Sequence, residues 1–184
     1  MGLSLFWAAT LAAAPQQSLP AQTCPGFPMS VSSEADLNNA IDCYNLAPAG
    51  DYIINVAADI TLSADTNAIN NALAATLTIS GNERTIDADG QGRAFTINDS
   101  DVVLTDLTLI NGAANSDGLC VQVGPGGAPR SVACGAGVYI AIPAVVTVTE
   151  SAIMSGTAQI GGAILNRGTL VIDRSTLAHN STTD

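Results

Sequence analysis

Residues 161–180, G-G-A-I-L-N-R-G-T-L-V-I-D-R-S-T-L-A-H-N, repeat in their second half a segment 24 residues upstream. Val146 matches Leu170, Val148 matches Ile172, Ser151 matches Ser175, Ile153 matches Leu177 and Gly156 matches Asn180, each pair 24 apart. Within each copy the apolar residues alternate, at 146 and 148 and again at 170 and 172. Alternation of this kind describes a strand with one buried face. A repeat of this length describes a unit that buries its apolar face only by stacking on its neighbour. A chain that winds back on itself meets both conditions, because its strands pair with the coils above and below while one face looks inward. The expected fold is all-β, a parallel β-helix with coils of about 24 residues.

The same spacing recurs at Val102, Leu104, Leu107 and Leu109, but offset by 44 from Val146, Val148, Ser151 and Ile153. The surplus lies between Gly112 and Gly135, where A-A-N-S-D-G-L-C-V-Q-V-G-P-G-G-A-P-R-S-V-A-C breaks the pattern. This is read as a loop insertion at about 113–134, projecting from one coil. Further upstream, 52–56 and 59–62 read as the first strands, and Leu77, Ile79, Ile86, Phe95 and Ile97 as inward-facing core residues.

The 184 residues suffice for one domain, and 17 glycines suit a coil with tight corners. Net charge is −11, and all five basic residues are arginine. Without clustered Lys or Arg there is no phosphate-binding surface, which argues against nucleic acid and against an anionic membrane as partners. The acidity suits solubility of a long repetitive surface.

Residues 3–14 form a 12-residue apolar run, too short to span a bilayer and suited to a signal-peptide core, with cleavage after Ala21. No basic residue precedes it. Residues 1–23 are taken as signal peptide and lead, with an extracellular or cell-envelope location. The four cysteines, Cys24, Cys43, Cys120 and Cys134, lack C-x-x-C spacing, and with one His elsewhere they suit two disulfides better than zinc. Three connectivities are open and sequential pairing is the simplest. A bridge between Cys120 and Cys134 would close a loop of about 15 residues, stabilising by roughly 3 kcal/mol. After Cys24, Ser33 and Asp36 resemble a capping box, and Leu37, Ala40, Ile41 and Tyr44 fall at helical spacing. Residues 24–50 are therefore read as an N-terminal cap with a helix, covering the end of a β-helix that runs over 51–184.

Gly161-Gly162-Ala163-Ile164 matches the G-G-A-I element of the polymorphic outer membrane protein repeat, and Leu177-Ala178-His179-Asn180 resembles its F-x-x-N element, with Leu for Phe. Gly135-Ala136-Gly137-Val138 looks like a degenerate copy of the first. Leu37-Asn38-Asn39-Ala40-Ile41 with Ala49-Gly50-Asp51 is similar to the L-R-E-A-I helix and P-G-D turn that head many secreted bacterial β-helix proteins; the cysteine, arginine and glutamate of that helix motif are not preserved. The resemblance covers about residues 35–180 and rests on short, structural motifs. It implies a right-handed β-helix, secreted or displayed at the bacterial outer membrane, often within a larger adhesin-like or autotransported protein. It brings no catalytic residue with it.

Extending the repeat register places Asp106, Glu150 and Arg174 in one column on neighbouring coils, beside a second column of Thr105, Thr149 and Asp173. One reading is catalytic, as in pectate-lyase-like β-helices, where stacked carboxylates hold calcium and a basic residue abstracts a sugar proton. The other is a solvated ionic ladder on the outside of a sheet. The ladder is favoured because arginine stays protonated and no Lys is available. Asp87-Ala88-Asp89-Gly90-Gln91-Gly92 is read as a corner and not as a calcium loop. His179 is read as a solvent-facing turn residue.

The function expected is thus that of a non-catalytic secreted or surface-displayed scaffold, adhesin-like, without cofactor or metal. Its contact region is the insertion, with Asp117, Gln122 and Arg130 as candidate binding residues beside the Asp106, Glu150 and Arg174 column. A surface glycan or a protein of a host or neighbouring cell is the expected partner. The alternative is a polysaccharide lyase or hydrolase using the acidic column. Because the sequence stops just after a corner, a longer reading frame or end-to-end stacking of coils is also expected.

Overall fold

The computed structural model describes residues 24–124 and 126–183. The expected signal peptide and lead, 1–23, lie outside the described residues. The chain enters through β1 (Met29–Val31) and α1 (Glu34–Asn45). A first coil follows with β2 (Gly50–Val56), β3 (Ile60–Thr61) and β4 (Ile69–Asn70), then a second with β5 (Ala75–Asp87) and β6 (Phe95–Asp99). The next coil carries β7 (Asp101–Ile110), the insertion strands β8 (Cys120–Val123) and β9 (Pro129–Val132), and β10 (Val138–Ile140). Then come β11 (Val145–Thr149), β12 (Ala152–Met154), β13 (Thr157–Ala158) and β14 (Ile164–Asn166). The last coil holds β15 (Thr169–Asp173), β16 (Thr176–Ala178) and β17 (Ser181–Thr182).

These strands stack as parallel ladders, so the protein is a parallel β-helix. One face runs in the order β1-β2-β5-β7-β11-β15 and a second in the order β4-β6-β10-β14, while β13 pairs with β17. The 24-residue repeat is the register itself: Val146 pairs with Leu170, Val148 with Ile172 and Ile153 with Leu177. The 44-residue offset is equally real, with Val102 opposite Val146, Leu104 opposite Val148 and Leu109 opposite Ile153. Leu77, Ile79, Ile86, Phe95 and Ile97 are fully buried. Each such side chain stabilises the stack by about 1.5–3 kcal/mol relative to exposure.

The corners explain the polar residues of the repeat. Asp106, Glu150 and Arg174 occupy left-handed backbone with φ of 54°, 52° and 45°, and Asn111, Ser155 and His179 do so at 54°, 58° and 57°. Each triplet follows the same 44 and 24 offsets, so two left-handed corners recur coil after coil. At the first, Leu107 N donates to Ser151 Oγ and Ser151 N donates to Ser175 Oγ, at 3.2 and 3.1 Å. The serines thus satisfy backbone donors that the bend removes from the strand ladder. At the second, Gly156 N donates to Asn180 Oδ1 at 2.8 Å while Asn180 Nδ2 donates to Ile153 O. A Cβ on Gly156 would lie 2.1 Å from Gly162 O, so this close approach within the coil requires glycine.

The N-terminal end is covered by α1. Ser33 caps the helix by accepting from Asp36 N at 3.2 Å, and the Asp36 carboxylate accepts from Ser32 in return. Hydrogen bonding to that carboxylate, from the Ser33 hydroxyl foremost and then from the Ser32 backbone, holds the Asp36 carboxyl below its ordinary pKa of 3.8. Leu37, Ala40, Ile41, Cys43 and Tyr44 are buried against the first coil. Glu34, Asn38 and Asn45 accept from the backbone N–H groups of Ser63, Asn67 and Asn70. The helix therefore supplies hydrogen-bond partners along the coil edge as well as apolar cover. Cys24 is bonded to Cys43. One expectation is corrected here: the first strand is β1, before the helix, and not the stretch at 52–56. Met29 and Val31 alternate with Ser30, and β1 pairs in parallel with β2.

Candidate functional site

The insertion folds as an antiparallel hairpin, the only antiparallel pair among the described strands. Cys120 lies opposite Val132, and Gln122 opposite Arg130. The hairpin closes through Gly124 N donating to Ala128 O, at 2.8 Å. Its stem is bridged by Cys120–Cys134, which settles the connectivity as sequential. Cys120, Val132, Cys134 and Tyr139 form an apolar cluster separate from the coil interior, with Leu119, Ala141, Ile160 and Leu165 packed around it. The insertion therefore lies over the outward face of β10 and β14 and shields it from water.

Arg93 fixes this arrangement. Its side chain is 1% exposed. Nε donates to Gly135 O at 2.9 Å, Nη2 to Cys134 O at 2.7 Å and Nη1 to Thr96 Oγ1 at 3.0 Å. Nη1 also meets Asp117 Oδ2 at 2.9 Å, with Asp65 Oδ2 further off at 3.9 Å. The guanidinium carbon sits 5.6 Å from the Tyr139 ring centroid. A planar fork with five donors can hold two carbonyls, a hydroxyl and a carboxylate at once, which an ammonium could not. The charge is thus paired and hydrogen-bonded, the condition for burying it.

Sequence reasoning missed Arg93. The signal was positional: carrying the Phe95–Val138 and Val138–Ile164 register back by two residues aligns Arg93 with Ala136 and Gly162. A long cation where neighbouring coils have small residues marks something seated over that coil.

The candidate residues divide accordingly. Asp117, expected as a contact residue, is engaged by Arg93, because a buried guanidinium needs a counter-charge. Gln122 and Arg130 are exposed and face each other across the hairpin. Exposed Val121 and Val123 flank Gln122 on β8 and point to the other face. Between hairpin and coil lies a groove of about 460 Å³, lined by Leu119, Cys120, Val121, Ile160, Leu165 and Arg167.

The Asp106, Glu150 and Arg174 column lies elsewhere, on the first corner. Thr105, Thr149 and Asp173 form the adjoining column in register. Arg174 Nη2 is 2.9 Å from Glu150 Oε1, with side chains 63% and 55% exposed, and Arg174 Nη1 also bonds Asp173. Glu150 and Arg174 thus form an exposed ion pair standing on left-handed corner residues, with Asp106 at the equivalent corner of the preceding coil. The expected position on the outside of a sheet is corrected to the bend. Asp87 to Gly92 is a turn in which Asp87 Oδ1 accepts from Asp89 N and from Asn111 Nδ2. His179 is an exposed corner residue.

The chain matches no family model, no curated protein and no solved structure. The fold and these side-chain arrangements are therefore what a functional reading rests on. No helix among the described residues is long and apolar enough to cross a membrane.

Proposed function

We propose that the protein is a non-catalytic, secreted or surface-displayed β-helix scaffold whose disulfide-bridged hairpin is its adhesin-like contact element. The observation that carries this is the hairpin's double attachment, by Cys120–Cys134 and by buried Arg93, which leaves Val121, Val123, Gln122 and Arg130 presented to solvent on a rigid frame. Loops held by rigid scaffolds are where binding groups concentrate. Two formed disulfides support export, since they persist in oxidising compartments. The relation to polymorphic outer membrane protein repeats belongs to the same proposal, supported by Gly135 to Val138 stacking on Gly161 to Ile164 with Val138 opposite Ile164.

The test is binding of the purified protein to cell surfaces and to glycan arrays, for the wild type and for variants altered on the two faces of the hairpin, at Val123 and at Arg130. Loss of binding with an unchanged circular dichroism spectrum supports the reading; unchanged binding overturns it. The rival enzymatic reading is tested by incubation with uronate and neutral polysaccharides, with and without calcium. Release of unsaturated or reducing ends would replace the scaffold reading.

A further inference from the structure

We infer that the groove between the hairpin and the coil is a docking site for an extended peptide segment carrying an apolar side chain beside a carboxylate. This deepens the contact-element reading and rests on it. The groove's volume of about 460 Å³ falls in the range of ligand sites. Leu119, Val121, Ile160 and Leu165 give it apolar walls. Its stem is fixed by the disulfide, and its floor borders Tyr139, which is 3% exposed and is held against Arg93. An occupant would therefore meet a surface already in place, and little ordering cost falls on the protein.

Charge picks the ligand. Arg167 lines the groove, is exposed, and forms no ion pair among the described residues; its hydrogen bond to Tyr139 Oη is long, at 3.5 Å. In a chain of net charge −11, a guanidinium left without a carboxylate is available to one from outside. Arginine matches a carboxylate in a two-pronged geometry that adds specificity as well as strength. The backbone favours an extended chain: β8 pairs with β9 on one side only, and residues 119–121, at the start of that strand, line the groove. A free strand edge beside an apolar trough is the arrangement by which peptides add to sheets. No exposed aromatic ring lines the groove to stack on a sugar, so a peptide is favoured over a glycan.

The experiment screens a positional-scanning hexapeptide library, in free-acid and amidated forms, against the full chain, with oligogalacturonate as a separate probe. The expected result is enrichment of peptides with an apolar residue next to Asp, Glu or a free C-terminus. Arg167→Gln should then weaken the enriched peptide at least tenfold, and Val121→Ser should weaken it with the thermal midpoint unchanged. No enrichment, or enrichment indifferent to both substitutions, overturns the proposal, as does Arg167-dependent binding of oligogalacturonate without peptide binding. If Val123 and Arg130 variants abolish surface binding while Arg167→Gln does not, the groove proposal fails and the contact-element reading survives. If none of them matters, both fail.

Discussion

Arg93 Nη1 and Asp117 Oδ2 lie 2.9 Å apart, one side chain 1% and the other 25% exposed, and this pair joins the coil to the hairpin laid over it. A buried cation with a half-shielded partner is a structural clamp, since its worth lies in what is left unpaired when it is broken. Arg93→Ala would strand Cys134 O, Gly135 O and the Asp117 carboxylate. Urea denaturation should show a loss of about 3–5 kcal/mol. Arg93→Lys should not restore it, because an ammonium cannot fork to the same four partners. A loss below about 1 kcal/mol would place the arginine among ordinary surface pairs.

Ser151 Oγ accepts from the buried Leu107 N and donates to Thr149 O at 2.7 Å. Ser151→Ala leaves that backbone donor without a partner, at a cost of about 1–3 kcal/mol. Ser175→Ala should cost less, because it lies on a more exposed coil. Thermal melts of the two variants give the order directly.

Arg174 sits at φ 45° and its ion pairs are exposed. The left-handed conformation costs a side chain such as arginine about 1–2 kcal/mol, while exposed pairs return about 0–1 kcal/mol. Arg174→Asn, a residue that tolerates this backbone, should therefore leave the melting midpoint unchanged or raise it. A clear fall would mean that the Glu150 and Asp173 contacts matter more than a surface ladder should.

Tyr44 Oη donates to Ala75 O at 2.9 Å, and its burial, with smaller contributions from Asp101 and Tyr52, raises its pKa above 10.0. The folded state holds this proton more tightly than the unfolded state. Its contribution is complete below about pH 10 and is lost as the pH rises through the raised value. Unfolding free energies measured between about pH 8 and about pH 12 should decline above 10, and less steeply in Tyr44→Phe. That variant should start about 1 kcal/mol less stable, having lost the hydrogen bond.

Reduction of Cys120–Cys134 frees the stem of the hairpin and should cost roughly 3 kcal/mol. Val121 and Leu119 should then become accessible to proteolysis, while β7 and β11 remain protected in hydrogen exchange, because their ladder does not pass through the insertion.

The sequence by itself determined the stack. Val146, Val148, Ser151 and Ile153 repeat at Leu170, Ile172, Ser175 and Leu177 because a parallel register repeats the same inside and outside on every coil. A strict period carries that information in one dimension, and so the register, the core and the corner column at Asp106, Glu150 and Arg174 were legible as spacing. The left-handed backbone beneath that column was not, since Asp, Glu and Arg share no turn signature and the bend is imposed by closing the coil. Nor was the hairpin's seat. Arg93 lies 24 residues from Asp117 and 41 from Cys134, and the insertion that carries Asp117 has no period to align it. Only folding brings these groups together. The reason is burial: the hairpin shields the outer face of β10, a guanidinium caught beneath it must be neutralised, and Asp117 is the nearer of the two carboxylates in reach.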